Sequence, residues 1–218
     1  MELLQVKKLI QSAENFARNC LSTHAGDGHD LDHTFRVVKH ALNLCREIPE
    51  ANENIVHIAA LLHDIARPQE SADAGKSDHA AVGAEMALIF LREYGVDETT
   101  ALHIAACIAT HRFRSDNRPS TVEAEILYDA DKLDSLGAVG IGRAFLFAGR
   151  VGARLHNDAE TALNSPPYSS EDTAYREYLV KLSKLPEKML TAPGKKYARD
   201  SAAFMDEFFC RLNQEIFQ

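Results

Sequence analysis

The chain has 218 residues, 45% hydrophobic and 26% charged, the balance of an ordinary globular protein long enough to bury a core without staples. Its net charge of −8 argues against DNA or an anionic membrane as a partner, because both need clustered Lys and Arg. A small phosphorylated molecule stays open if a local cation receives it. The four cysteines (Cys20, Cys45, Cys107 and Cys210) form no CxxC pair and are expected as reduced, mostly buried thiols. Residues 1–10 mix charged and apolar side chains with no h-region. No apolar run approaches the ~20 residues that span a bilayer, so the expected compartment is the cytoplasm.

In chain order, Leu3, Val6, Ile10, Ala13, Phe16, Ala17 and Cys20 form one helical stripe. A Gly/Asp-rich loop follows at 22–30, and a second helix at about 31–46 stops before Pro49. The third, about 52–66, is expected to end near Pro68; the fourth runs over about 77–94 and stops at Gly95. The fifth covers about 97–111. Ser120 and Glu123 read as a capping box for the sixth. The glycines of "LGAVGIGRAFLFAGRVG" lack the third Gly of a GxGxxG and read as close-packing positions in a helix. Residues 155–170 read as a long loop, and helices at about 171–190 and 195–216 close the chain. Phe204, Phe208 and Leu212 recur as a docking stripe on the last. The expected fold is all-α, a bundle of about eight helices.

The informative residues are ionisable ones on apolar faces. His33 shares a face with Val37, Ala41 and Leu44. His63–Asp64 interrupts "AALLHDIARP", a segment apolar nearly all round and therefore central. Asp131 lies on a stripe with Ala124, Leu127 and Asp134. A buried carboxylate has to be paired, protonated or metal-bound. A lone HD dipeptide reads as a salt bridge from Asp64 to Arg67 beside a core histidine. His33 and Asp131 turn the balance toward a mixed N/O ligand set that suits Mn, Fe, Co, Ni or Zn, with Mg also possible.

His33, then His63–Asp64, then Asp131 on an all-α chain resembles the HD superfamily of metal-dependent phosphohydrolases. "GHDLDHTFRVVKHA", "EILYDADKLDSLGAVGIGRAF" and "KLPEKMLTAPGKKYARDSAAFMDEFF" resemble its small stand-alone bacterial members, including a nucleoside triphosphate pyrophosphohydrolase branch. The resemblance spans roughly 28–212. It implies one HD domain over 1–218, with a metal-binding core at about 28–136 and a helical extension at about 137–218. It implies that His33, His63, Asp64 and Asp131 hold one divalent ion. By the same resemblance Asp64, Asp134 and Lys132 are catalytic candidates, Asp134 as an orienting group. Arg36, Lys132 and Arg67 are candidate phosphate contacts. His79 and His111 depart from the pyrophosphohydrolase branch. Dinuclear branches acting on dinucleoside polyphosphates place two further histidines between the HD pair and the last Asp, so a second ion is open. His24, His29, His40, His57 and His156 carry no assigned role. The expected activity is nucleoside triphosphate pyrophosphohydrolysis. Dinucleoside polyphosphate hydrolysis and a non-catalytic nucleotide-binding regulatory domain are the alternatives, and a purely structural helical protein stands behind them. The expected partner is a small nucleotide, not a nucleic acid polymer or a membrane.

Overall fold

A computed structural model describes residues 3–22, 30–73, 75–112 and 117–217. All regular structure among them is helical, and the chain divides into two compact units, 1–131 and 132–218. The first contains α1 (Leu3–Leu21), α2 (Leu31–Glu47), α3 (Glu53–Leu62), α4 (Arg67–Ala72), α5 (His79–Glu93), α6 (Glu98–Thr110) and most of α7 (Val122–Leu133). Helix α3 packs on α1, α2 and α6, and α5 packs on α6. Ile55, Val56, Ile58 and all of residues 59–66 are buried, as expected of a segment with apolar side chains on nearly every face.

The third helix is shorter than its periodicity predicts. It ends at Leu62, and residues 63–66 make a tight turn into α4. Pro68 lies in the first turn of α4, where its missing N–H costs nothing, and does not terminate the preceding helix. The expected capping box is also displaced by one residue. Thr121 Oγ1 accepts from Ala124 N at 3.3 Å, and Glu123 reaches the backbone N–H of Asn52 at 2.9 Å.

The second unit holds α8 (Gly137–Arg150), α9 (Ala159–Asn164), α10 (Ala174–Val180), a 3-10 turn (Leu182–Lys184), α11 (Leu185–Lys188) and α12 (Ala192–Phe217). The Gly-rich stretch is helix α8. A Cβ on Gly140 would stand 2.2 Å from the Ser135 carbonyl oxygen, so only glycine fits. The segment expected as a loop contains α9, capped by Asp158, and is tied down by Arg154 N–H donating to Ser170 O and Asn157 Nδ2 to Glu171 O. On α12 the buried stripe is Ala198, Met205 and Phe209; Phe204 is 48% exposed. The expected stripe was one residue out of phase because apolar residues stand at both 208 and 209.

All four cysteines are free, with Cys210 exposed and Cys20 half-buried. Burial pushes the Cys45 thiol up to about 11 and Cys107 up to about 12, so both stay protonated. Among the described residues no helix is long and apolar enough to cross a membrane.

Candidate metal centre

The centre is built in the first unit by helix ends. Asp30 caps α2 by accepting from His33 N at 3.0 Å, which starts the helix in the phase that turns His33, Val37, Ala41 and Leu44 inward. His63 is the C-cap of α3 and His111 the C-cap of α6. Each uses its ring in the same way. His63 Nδ1 lies 2.8 Å from Ala60 O, and His111 Nδ1 lies 2.7 Å from Ile108 O. A carbonyl oxygen only accepts, so Nδ1 donates in both, and in the neutral ring Nε2 carries the lone pair. His79 opens α5, with its Nδ1 2.8 Å from Glu70 Oε2. A carboxylate also only accepts.

These Nε2 atoms converge on Asp64. Its Oδ2 is 3.6 Å from His33 Nε2 and 3.5 Å from His63 Nε2; its Oδ1 is 3.2 Å from His79 Nε2 and 3.6 Å from His111 Nε2. Asp131 Oδ1 stands 3.4 Å from His33 Nε2. Two groups result, His33 with His63 and Asp131, and Asp64 with His79 and His111. Within each group one potential ligand atom per residue lies inside 4.8 Å of the others. His33, His63, Asp64, His79 and His111 are at most 1% exposed, and Asp131 is 9%.

The donor set fits divalent ions. His79 and His111 Nε2 lie 3.3 Å apart, as do His33 and His63 Nε2. With Nδ1 engaged as donor, His79 and His111 present lone pairs to each other, and a cation between them turns that repulsion into attraction. A separation of 3.3 Å suits neighbouring ligands on an ion with metal–nitrogen bonds of about 2.1 Å. Imidazole and carboxylate without thiolate suit Mn, Fe, Co, Ni or Zn. Burial pushes His63 down to about 3 and holds His79 below its usual value despite the Asp64 carboxylate, so both rings are neutral and free to ligate near neutral pH.

A charged network flanks the second group. Arg67 Nε donates to Asp64 Oδ1 at 3.0 Å and its Nη1 to Glu70 Oε2 at 3.2 Å. Arg112 Nη1 donates to Glu70 Oε1 at 2.6 Å and to Asp78 Oδ1 at 3.1 Å. Burial opposes charge on Glu70, but His79, Arg112 and Arg67 together hold its carboxyl below the usual range. Glu70, Asp78 and His79 form a third group that could hold an ion, but the Arg112 guanidinium already serves as its cation.

Of the residues singled out from sequence, His33, His63, Asp64, Asp131, His79, His111 and Arg67 come together here. Arg36 and Lys132 are half-buried. Asp134 has no exposed surface, and Arg143 Nη1 binds its Oδ2 at 2.6 Å and its carbonyl at 3.2 Å. His40 and His57 are half-buried, His156 bonds Asn213 Oδ1 at 2.7 Å, and His24 and His29 lie outside the described residues. Sequence reasoning missed Glu70, Asp78, Arg112 and Arg143. The six-residue α4 is too short for a periodicity that would have flagged Glu70.

Residues 30–136 match the family model of the HD domain. The chain is similar to YpgQ, an uncharacterized protein of Bacillus subtilis (strain 168), with 31% identity over 97% of this chain and 92% of that one. The crystal structure of Bacillus subtilis YpgQ in complex with ADP superposes with a TM-score of 0.76 at 26% identity, covering 98% of this chain and 97% of that one. The crystal structure of an HD-superfamily hydrolase from Bacillus thuringiensis superposes with a TM-score of 0.74 at 31% identity, covering 98% and 100%.

Proposed function

This chain belongs to the HD superfamily, and we propose that it is a metal-dependent phosphohydrolase cleaving a phosphoanhydride or phosphoester bond of a nucleotide-like substrate, with nucleoside triphosphate pyrophosphohydrolysis as the first assignment. The observation that carries the reading is the Asp64 carboxylate, with one oxygen toward His33 and His63 and the other toward His79 and His111. A buried carboxylate ringed by imidazoles is a costly arrangement for packing alone and a good one for divalent ions. The ADP bound by YpgQ supports a nucleotide as the ligand class.

In this reading His33, His63, Asp64 and Asp131 hold one ion, and Asp64, His79 and His111 hold a second. Such ions supply Lewis acidity toward phosphoryl oxygens and lower the pKa of a bound water. The residues do the remaining work. The Ala60 and Ile108 carbonyls hold the His63 and His111 rings so that Nε2 faces inward. Arg67 fixes Asp64 from the side. Arg36 and Lys132 are the proposed phosphate contacts, where fixed cations offset charge that grows in the transition state. Asp134, bound by Arg143, anchors its own segment. The domain reading follows: one HD domain over 1–218 with a helical C-terminal extension.

His79 and His111 beside Asp64 favour a second reading, a dinuclear hydrolase of dinucleoside polyphosphates. The test is a Mn²⁺-supplemented screen of nucleoside triphosphates and dinucleoside polyphosphates with products resolved, beside Asp64→Ala. Pyrophosphate and nucleoside monophosphate released by the parent only establish the first reading. Cleavage confined to the dinucleotides establishes the second. Nucleotide binding without turnover under any divalent ion overturns both in favour of a regulatory domain.

A further inference from the structure

The four histidines of the centre are not held alike. The His63 and His111 Nδ1 atoms are anchored by backbone carbonyls of their own helices, which no side-chain change removes. His79 Nδ1 has two side-chain neighbours with opposite demands. Glu70 Oε2, at 2.8 Å, can only accept and selects the tautomer with hydrogen on Nδ1. Arg112 Nη1, at 3.1 Å, can only donate and selects the tautomer with hydrogen on Nε2. In the first tautomer the Nε2 lone pair faces Asp64 Oδ1 and His111 Nε2; in the second an N–H points there and no ion can be ligated. Arg112 Nη1 carries two hydrogens, and Glu70 Oε1 and Asp78 Oδ1 accept both, so the arginine leaves His79 to Glu70.

We propose that Glu70 is a positioning residue for the second metal site, fixing the ligating tautomer of His79 both by accepting its Nδ1–H and by occupying the competing donor of Arg112. The proposal rests on the two-ion reading above. Glu70 touches no reacting atom in this scheme; it acts through His79. Outer carboxylates of this kind typically change metal affinity 10–100-fold. Removing Glu70 alone frees an Arg112 hydrogen for Nδ1 and locks the wrong tautomer. Removing Arg112 as well takes away that lock, so Arg112→Ala restores part of what Glu70→Ala loses. A purely structural Glu70 predicts the reverse, with the double variant the worse.

The experiment has two readouts. In the metal-free full chain, nitrogen NMR of ¹⁵N-labelled histidine, with His79 assigned through His79→Gln, reports the tautomer without any ion. The expected result is an Nδ1-protonated ring in the parent and an Nε2-protonated ring in Glu70→Ala. Calorimetric titration with Mn²⁺ reports both sites. Here Glu70→Ala weakens the second ion roughly 10–100-fold with the first unchanged, Glu70→Gln falls between, and Glu70→Ala with Arg112→Ala recovers affinity relative to Glu70→Ala. If Glu70→Ala fails to fold, Glu70→Gln, nearly identical in shape, carries both readouts. A parent ring already protonated on Nε2 overturns the proposal. So do a parent binding two ions that Glu70→Ala and Glu70→Gln hold as tightly, and a double variant weaker than Glu70→Ala; in these the two-ion reading survives. A parent that takes up one ion or none overturns the two-ion reading together with this one.

Discussion

Asp64 and Asp134 are both at most 1% exposed, in very different company. Asp134, in the second unit, meets a guanidinium: Arg143 Nη1 binds its Oδ2 at 2.6 Å. Asp64, in the first, meets four imidazoles whose closest nitrogens lie 3.2–3.6 Å from its two oxygens, with Arg67 on its flank. A guanidinium neutralises a carboxylate outright and the result is an anchor. Imidazoles offer ring nitrogens that can ligate, and His63 and His79, kept neutral by burial, bring lone pairs and no charge, which leaves room for cations. A buried aspartate is therefore read by what surrounds it, and burial by itself does not separate ligand from anchor.

The sharpest way to break the comparison is to remove each carboxylate's function in turn. Asp64→Ala is expected to lower hydrolysis by about a thousandfold or more, ~4 kcal/mol in transition-state terms, and to abolish binding of both ions; steady-state rates and elemental analysis check it. Arg143→Ala takes the guanidinium away from the buried Asp134 carboxylate and is expected to cost up to about 3–5 kcal/mol of stability, read from chemical denaturation. The metal content of the chains that stay folded remains that of the parent. Equal loss of metal in both variants would remove the distinction.

Metal removal sharpens the same contrast. An ion that binds only the folded chain contributes about 2.7 kcal/mol at a hundredfold excess over its Kd. Chelation should lower the thermal midpoint of the parent and leave that of Asp64→Ala unmoved, both visible by calorimetry.

The most gradual effect is that of pH. His63 and His79 have pKa values depressed by burial in the fold, His63 to about 3, while the unfolded chain protonates them near 6.5. Below that value the unfolded state binds more protons, so their contribution is complete above pH 6.5 and is lost as pH falls toward the folded values. The metal-free protein should lose up to about 1.4 kcal/mol per pH unit through His63, with His79 adding in the same direction. Replacing either with Gln should flatten the slope, as urea midpoints taken between pH 7 and 5 would show.

Much of the centre was legible in the sequence. Ionisable residues at helical spacing on apolar faces pointed to His33, His63, Asp64 and Asp131, because burying them without partners is prohibitive. The helix phases behind that reading are local, set by caps such as Asp30 and Asn52 and by apolar periodicity. The tertiary structure decided what periodicity cannot carry. It ended α3 at Leu62 and brought α4, α5 and α6 together, so that Glu70, His79 and Arg112, separated by 42 positions from first to last, meet at one ring nitrogen. It also paired Asp134 with Arg143 and set Asp64 among imidazoles, although both aspartates looked alike on their own helical faces. Period and capping specify which way a side chain faces; which side chain waits on the other side depends on the packing of helices distant in the chain, and that packing assigned the chemistry.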